Sequence, residues 1–145
     1  MIVLLKTIDG TPNFFYTVAD ADIRTGVPSS AFEVTSTAPL VFVRPILRTT
    51  DEATLQSGTP ATATYEATWE IVGVVLGTAS VDVYTARERL EADILQAMRS
   101  DPSLGSLASQ SIDVSTEYGA SDIEHEHQIN TEGVCRIRWL TRWTA

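Results

Sequence analysis

Residues 122–129 read DIEHEHQI and hold both histidines of the chain, interleaved with carboxylates. Two imidazoles at i and i+2 leave an extended segment on the same side. With a thiolate close by they could hold zinc. Cys135, the single cysteine, becomes the third ligand if its segment folds back on the histidines. The same imidazoles beside Glu124 and Glu126 could do acid–base work. The spacing argues against both. No CxxC or HxxxH pair accompanies them and a fourth ligand is not evident. Nor does a nucleophile or an oxyanion-stabilising loop. The third reading is structural, and it depends on the elements that carry these residues.

On a strand, Ile123, His125, His127 and Ile129 share one face, and Asp122, Glu124, Glu126 and Gln128 the other. The next run, 134–144, also alternates. Cys135, Ile137, Trp139, Thr141 and Trp143 face one way; Arg136, Arg138, Leu140 and Arg142 face the other. Thr131-Glu132-Gly133 between them suits a three-residue hairpin loop with Gly133 in the left-handed region. That register sets Gln128 opposite Arg136, Glu126 opposite Arg138 and Asp122 opposite Arg142. On the other face His127 meets Ile137 and His125 meets Trp139. Opposite-charge cross-strand pairs contribute about 0.2–1 kcal/mol each, so the carboxylates become partners of an arginine ladder and the histidines pack beside Trp139. Cys135 shares their face, which leaves a small metal-binding protein using His125, His127 and Cys135 as an alternative. The sequence carries no Walker loop, GxGxxG, GxSxG or HExxH. The expectation is a protein that is not an enzyme and holds no cofactor.

The rest of the chain supplies the frame. Leu40 to Leu47, LVFVRPIL, reads as a strand that Pro45 places at a sheet edge or a bend. Tyr65 to Leu76 alternates at first, with Tyr65, Ala67, Trp69 and Ile71 on one face, and then becomes apolar on both. A helix is expected over Val81 to Ser100, with Val83, Ala86, Leu90, Ile94, Ala97 and Met98 as its buried stripe. Ser80 or Asp82 can cap its start, and Asp101-Pro102 ends it. Ile112 to Tyr118 alternates as a further strand. Residues 49–64, TTDEATLQSGTPATAT, hold one large apolar residue, Leu55, and read as a long loop. Met1 to Ile8 fits a strand or a short helix. Phe14 to Val18 is a possible strand, and Asp20 to Ser30 reads as loop. Together these elements predict a single α+β domain over 1–145: a mainly antiparallel twisted sheet with one principal helix on one face.

The bulk numbers set limits. The chain has 145 residues, a formal net charge of −9, 43% hydrophobic and 20% charged residues. The acidity argues against a broad nucleic-acid-binding surface. Solubility alone is the plainer reading of the charge, and it does not argue against a wall that DNA passes without sticking. No run reaches the ~18 apolar residues of a membrane helix, and MIVLLKTIDG has neither the length nor the basic leader of a signal peptide. Synthesis in the cytoplasm and no membrane partner are expected.

The order of segments, an extended LVFVRP, a long loop, YEATWEIVGVVLG, the helix ARERLEADILQAM, a DPSLG turn and alternating strands ending RIRWLTRW, resembles the small α+β tail terminator or tail-completion proteins of tailed bacteriophages. Over residues 38–143 the likeness lies in pattern and in the helix positions Ala86, Leu90, Asp93, Ile94, Ala97 and Met98. The resemblance implies a structural virion protein of the tail or neck. It would form a ring of six copies on the end of the tail tube, stop polymerisation of the major tail tube protein, and dock the head–tail connector or stopper. DNA would pass the lumen without specific binding. A ring needs two different patches per copy. The candidates are Thr49, Asp51, Glu52, Leu55 and Gln56 in the loop, and Arg136, Arg138, Arg142 and Trp143 at the end of the chain, since buried aromatics and arginines dominate interface energetics. Trp143 reads equally as a core residue. Another neck or baseplate ring protein, or an unrelated adaptor of the same fold, are the alternatives.

Overall fold

The computed structural model describes residues 1–10, 12–26, 38–50, 64–106, 108, 110–118 and 132–144. In chain order they form α1 (Ile2–Leu5), a 3-10 turn (Asp20–Asp22), β1 (Ile23–Thr25), β2 (Leu40–Thr50), β3 (Thr64–Leu76), α2 (Val83–Arg99), β4 (Gln110–Tyr118) and β5 (Glu132–Thr144). The strands make one five-stranded sheet in the order β1-β2-β3-β5-β4. β1 runs parallel to β2, and the other pairings are antiparallel. The class is therefore α+β, mainly antiparallel, with α2 as its principal helix.

Helix α2 forms where the apolar stripe and its cap coincide. Asp82 is the N-cap: its carboxylate accepts from the Tyr84 and Thr85 N–H groups, both at 3.0 Å. Those bonds satisfy donors that no helical carbonyl can reach. Ala86, Leu90, Ile94, Ala97 and Met98 are buried against the sheet, where Ile71, Val75, Ile137 and Trp139 complete the core. Phe42, Val72 and Val74 make a second buried cluster on the opposite face, with Leu40 and Val134 packed against it. The doubly apolar end of β3 is thus covered on both sides, as its sequence requires.

Two glycines set the distance between the layers. A Cβ on Gly73 would lie 2.9 Å from Cys135 Sγ, Leu90 Cδ2 and Ile94 Cδ1. One on Gly133 would lie 2.9 Å from the Val83 carbonyl oxygen and Arg87 Cβ. Both are glycine because the helix comes this close, not because of a turn.

That finding corrects the expected hairpin. Gly133 pairs with Val75 inside β5, and the glycines with left-handed φ among the described residues are Gly10, Gly26 and Gly105. A strand has only two edges. β5 gives one to β3 from Glu132 to Thr144 and the other to β4 from Cys135 to Arg142. Over Cys135–Arg142 both edges of β5 are thus taken by described strands. Arg136 lies between Val72 and Glu117, Arg138 between Glu70 and Ser115, and Arg142 between Glu66 and Gln110. Asp122, Glu126, Gln128 and both histidines themselves fall outside the described residues.

Smaller differences follow from local bonding. β2 runs on to Thr50 and β3 begins at Thr64, so both ends of the expected 49–64 loop are strand. Thr49 and Thr50 pair with Glu66 and Tyr65, and Thr64 pairs with Thr144. Ile23–Thr25 joins the sheet as β1, where a loop was expected, by pairing with Val41–Val43. Met1 to Ile8 contains a single helical turn. Phe14 to Val18 makes only an isolated bridge, Asp9 with Thr17. The Phe15 and Tyr16 N–H groups go elsewhere, to the Asp93 carboxylate on α2, at 3.0 and 2.9 Å.

Asp93 is 1% exposed, and burial raises its carboxyl above the ordinary value. Asp93→Ala leaves both N–H donors without their acceptor and should lower unfolding free energy by about 1.5–3 kcal/mol, read by urea denaturation at pH 7. The folded carboxyl holds its proton more tightly than the unfolded one. Its contribution to stability is therefore full below the ordinary aspartate value and declines as pH rises through the raised one. The gap between wild type and variant should widen as pH falls through that window.

Candidate functional site

The 17 residues of α2 span about 25 Å at 1.5 Å per residue. The 13 residues of β3 span about 43 Å. With its first turn fixed over Gly133, the helix cannot cover the far end of the sheet. That end carries Tyr65, Ala67 and Trp69 on β3, Thr141 and Trp143 on β5, and the β2 segment Pro45–Arg48.

Here the aromatics stay partly open. Tyr65 and Trp143 are cross-strand partners whose rings stack at 5.6 Å between centroids and 17° between planes. The Arg48 guanidinium lies 5.2 Å from the Tyr65 ring and 5.6 Å from the Trp143 ring, within cation–π range of both. Trp69 is held in place by donating from Nε1 to Thr141 Oγ1 at 3.0 Å, while that hydroxyl donates to the Ala67 carbonyl at 3.2 Å. Register shifts between Pro45 and Leu47, and this bulge leaves Ile46 49% and Leu47 58% exposed.

The two tryptophans wall two adjoining clefts. One, of about 490 Å³, lies toward the bulge and is lined by Pro45, Ile46, Leu47, Arg48, Ala67, Trp69 and Trp143. The other, of about 280 Å³, lies toward Met1, Leu104 and Ala108. Arg48 is the charged side chain in these linings. The arrangement can accept an apolar or aromatic group and pair one carboxylate.

The opposite face carries the ion pairs. Glu70, 7% exposed, accepts from Arg44 Nε at 2.5 Å and lies 3.7 Å from Arg136 Nη1. Arg142 donates to Glu66, from Nε at 2.7 Å and also from Nη2. The arginine ladder of β5 thus exists, but its carboxylates come from β3.

Of the residues expected at an interface, Trp143 lies in the aromatic end and Thr49 is exposed on β2 nearby. Arg136, Arg138 and Arg142 point from the other face and do not join them. Asp51, Glu52, Leu55 and Gln56 fall outside the described residues. Ile46, Leu47, Arg48 and Trp69 were missed. The available signal was that Tyr65, Trp69, Trp139 and Trp143 share one alternation phase in two strands, which align once β3 and β5 are paired. Cys135 is buried under α2, and burial pushes its thiol up to about 12. A thiol so placed is a poor source of the thiolate that zinc needs.

Glu70→Gln leaves the Arg44 and Arg136 guanidinia facing a neutral amide. Each retains about a third of its exposure, so water screens part of the loss. The expected cost is about 1–3 kcal/mol by chemical denaturation, with a partial return when Arg44→Met is added. Comparison with models of known protein families and with curated proteins gives no match for this chain.

Proposed function

We propose that this chain is a structural ring subunit of a phage tail, seated as the terminator on the end of the tail tube. The observation that carries the reading is the sheet end that outruns its helix, with Ile46 and Leu47 exposed beside two half-covered tryptophans. A surface of that kind is suited to burial against another protein. Thr141 and Glu70, buried polar residues on the strands that form it, are engaged in bonds that hold elements together. The net charge of −9 fits a bore through which DNA slides. Ring assembly, tube ends and the head–tail connector are the partners this reading requires. No helix among the described residues is long and apolar enough to cross a membrane.

A different neck or baseplate ring is the second reading, separated from the first by its partner. Negative-stain images of purified protein with isolated tail tubes should show density added at tube ends, and loss of the protein should leave overlong tubes and unjoined heads. Protein that ignores tube ends while binding another virion ring would favour the second reading. Protein that forms no assembly with itself or a tube would defeat both. Replacing His125 and His127 together should leave assembly unchanged, as the metal alternative does not allow.

A further inference from the structure

The clefts at the far end of the sheet have a counterpart at the near end. Tyr84 stands 63% exposed on the first turn of α2. Glu88, also exposed, follows four residues on and shares its face. The Arg87 guanidinium lies 5.5 Å from one side of the Tyr84 ring.

The two surfaces sit at opposite ends of one molecule. The first turn of α2 touches Gly133, which pairs with Val75, whereas Trp143 pairs with Tyr65. Ten residues of strand between Tyr65 and Val75 make about 33 Å. A copy cannot fill its own cleft with its own Tyr84. The match is in chemistry as well as place. One end offers an aromatic ring with a carboxylate beside it. The other offers tryptophan walls and a guanidinium whose ring-facing sides are taken up by Tyr65 and Trp143 and whose N–H groups suit a carboxylate. In a chain carrying nine excess negative charges, a contact that pairs a carboxylate with an arginine offsets part of the repulsion between copies.

We propose that Tyr84 and Glu88 of one copy dock into the cleft formed by Ile46, Leu47, Arg48, Trp69 and Trp143 of a second copy. The contact is head-to-tail and leaves one cleft and one Tyr84 unfilled at the ends of any open chain, so it propagates until it closes. This inference rests on the self-assembling subunit proposed above and names the surfaces it uses.

The test uses the full chain and two surface variants, Tyr84→Ala and Leu47→Asp, with circular dichroism confirming that each is folded. In sedimentation equilibrium the wild type should self-associate, and each variant alone should associate about thirtyfold or more weakly. An equimolar mixture should form dimers and nothing larger, because only the pairing of an intact Tyr84 with an intact cleft survives. If a variant fails to fold, Glu88→Arg and Arg48→Glu replace the pair: each alone should weaken association, and mixing the two should restore a dimer through the exchanged charges. Self-association of both variants at wild-type strength overturns this contact and leaves the assembly reading standing. Wild-type protein that stays monomeric, alone and with tubes, overturns both.

Discussion

The seating of α2 on the two central strands is the constraint from which the other features of the molecule follow. Gly73 and Gly133 admit the helix at a distance no side chain would allow. Gly133 also fixes where it starts, because Val83 and Arg87 rest directly on that backbone. From that point the helix has 17 residues and the strands beneath it 13. Rise per residue in a strand is more than twice that in a helix. The far ends of β2, β3 and β5 must therefore extend beyond their cover. The residues found there include Tyr65, Trp69 and Trp143, with Ile46, Leu47 and Arg48 beside them.

The buried carboxylates carry the fold's connections. Asp93 ties the irregular 14–16 segment to the helix through two backbone N–H groups, and so closes the core over Ile8 and Val18. Glu70 sits where β2, β3 and β5 meet, and its two oxygens serve arginines from both neighbouring strands. A carboxylate used this way is oriented by the partners it holds.

The elements with strong periodicity were legible from their residues. The stripe from Ala86 to Met98 and the cap at Asp82 place α2 within two residues at either end. The alternation of Val134 to Thr144 sorts its faces correctly. The pairing of that strand was not legible. Charge made residues 122–129 an attractive partner for the arginines, yet β3 offers carboxylates at Glu66 and Glu70 in the same alternation. Adjacency in sequence prevailed in the reading, and long-range pairing prevailed in the structure. β3 brings apolar partners on both faces, Ile71 against Ile137 and Trp69 against Trp139 on one and Val74 against Val134 on the other, and burial outweighs a few exposed charge pairs. The aromatic end was hidden for the same reason: Tyr65 and Trp143 meet only across that pairing. Gly73, which marks no motif, marks a close approach that requires the third dimension to see.

The outer strands limit how copies of this chain can meet. Among the described residues, β1 covers β2 along Val41–Val43. Beyond it β2 carries Pro45, which has no N–H to donate, and a bulge that breaks the row of backbone groups. On the other side β4 is the last described strand, and its register shifts between Asp113 and Ser115. Straight addition of a second sheet is therefore discouraged at both edges, in the manner by which soluble sheets avoid uncontrolled pairing. The bulge that blocks the β2 edge is also what turns Ile46 and Leu47 outward beside Trp69 and Trp143. One irregularity interrupts the backbone ladder and exposes side chains in its place. Contact through side chains fixes the angle between subunits by shape, which a sheet edge, free to extend, does not.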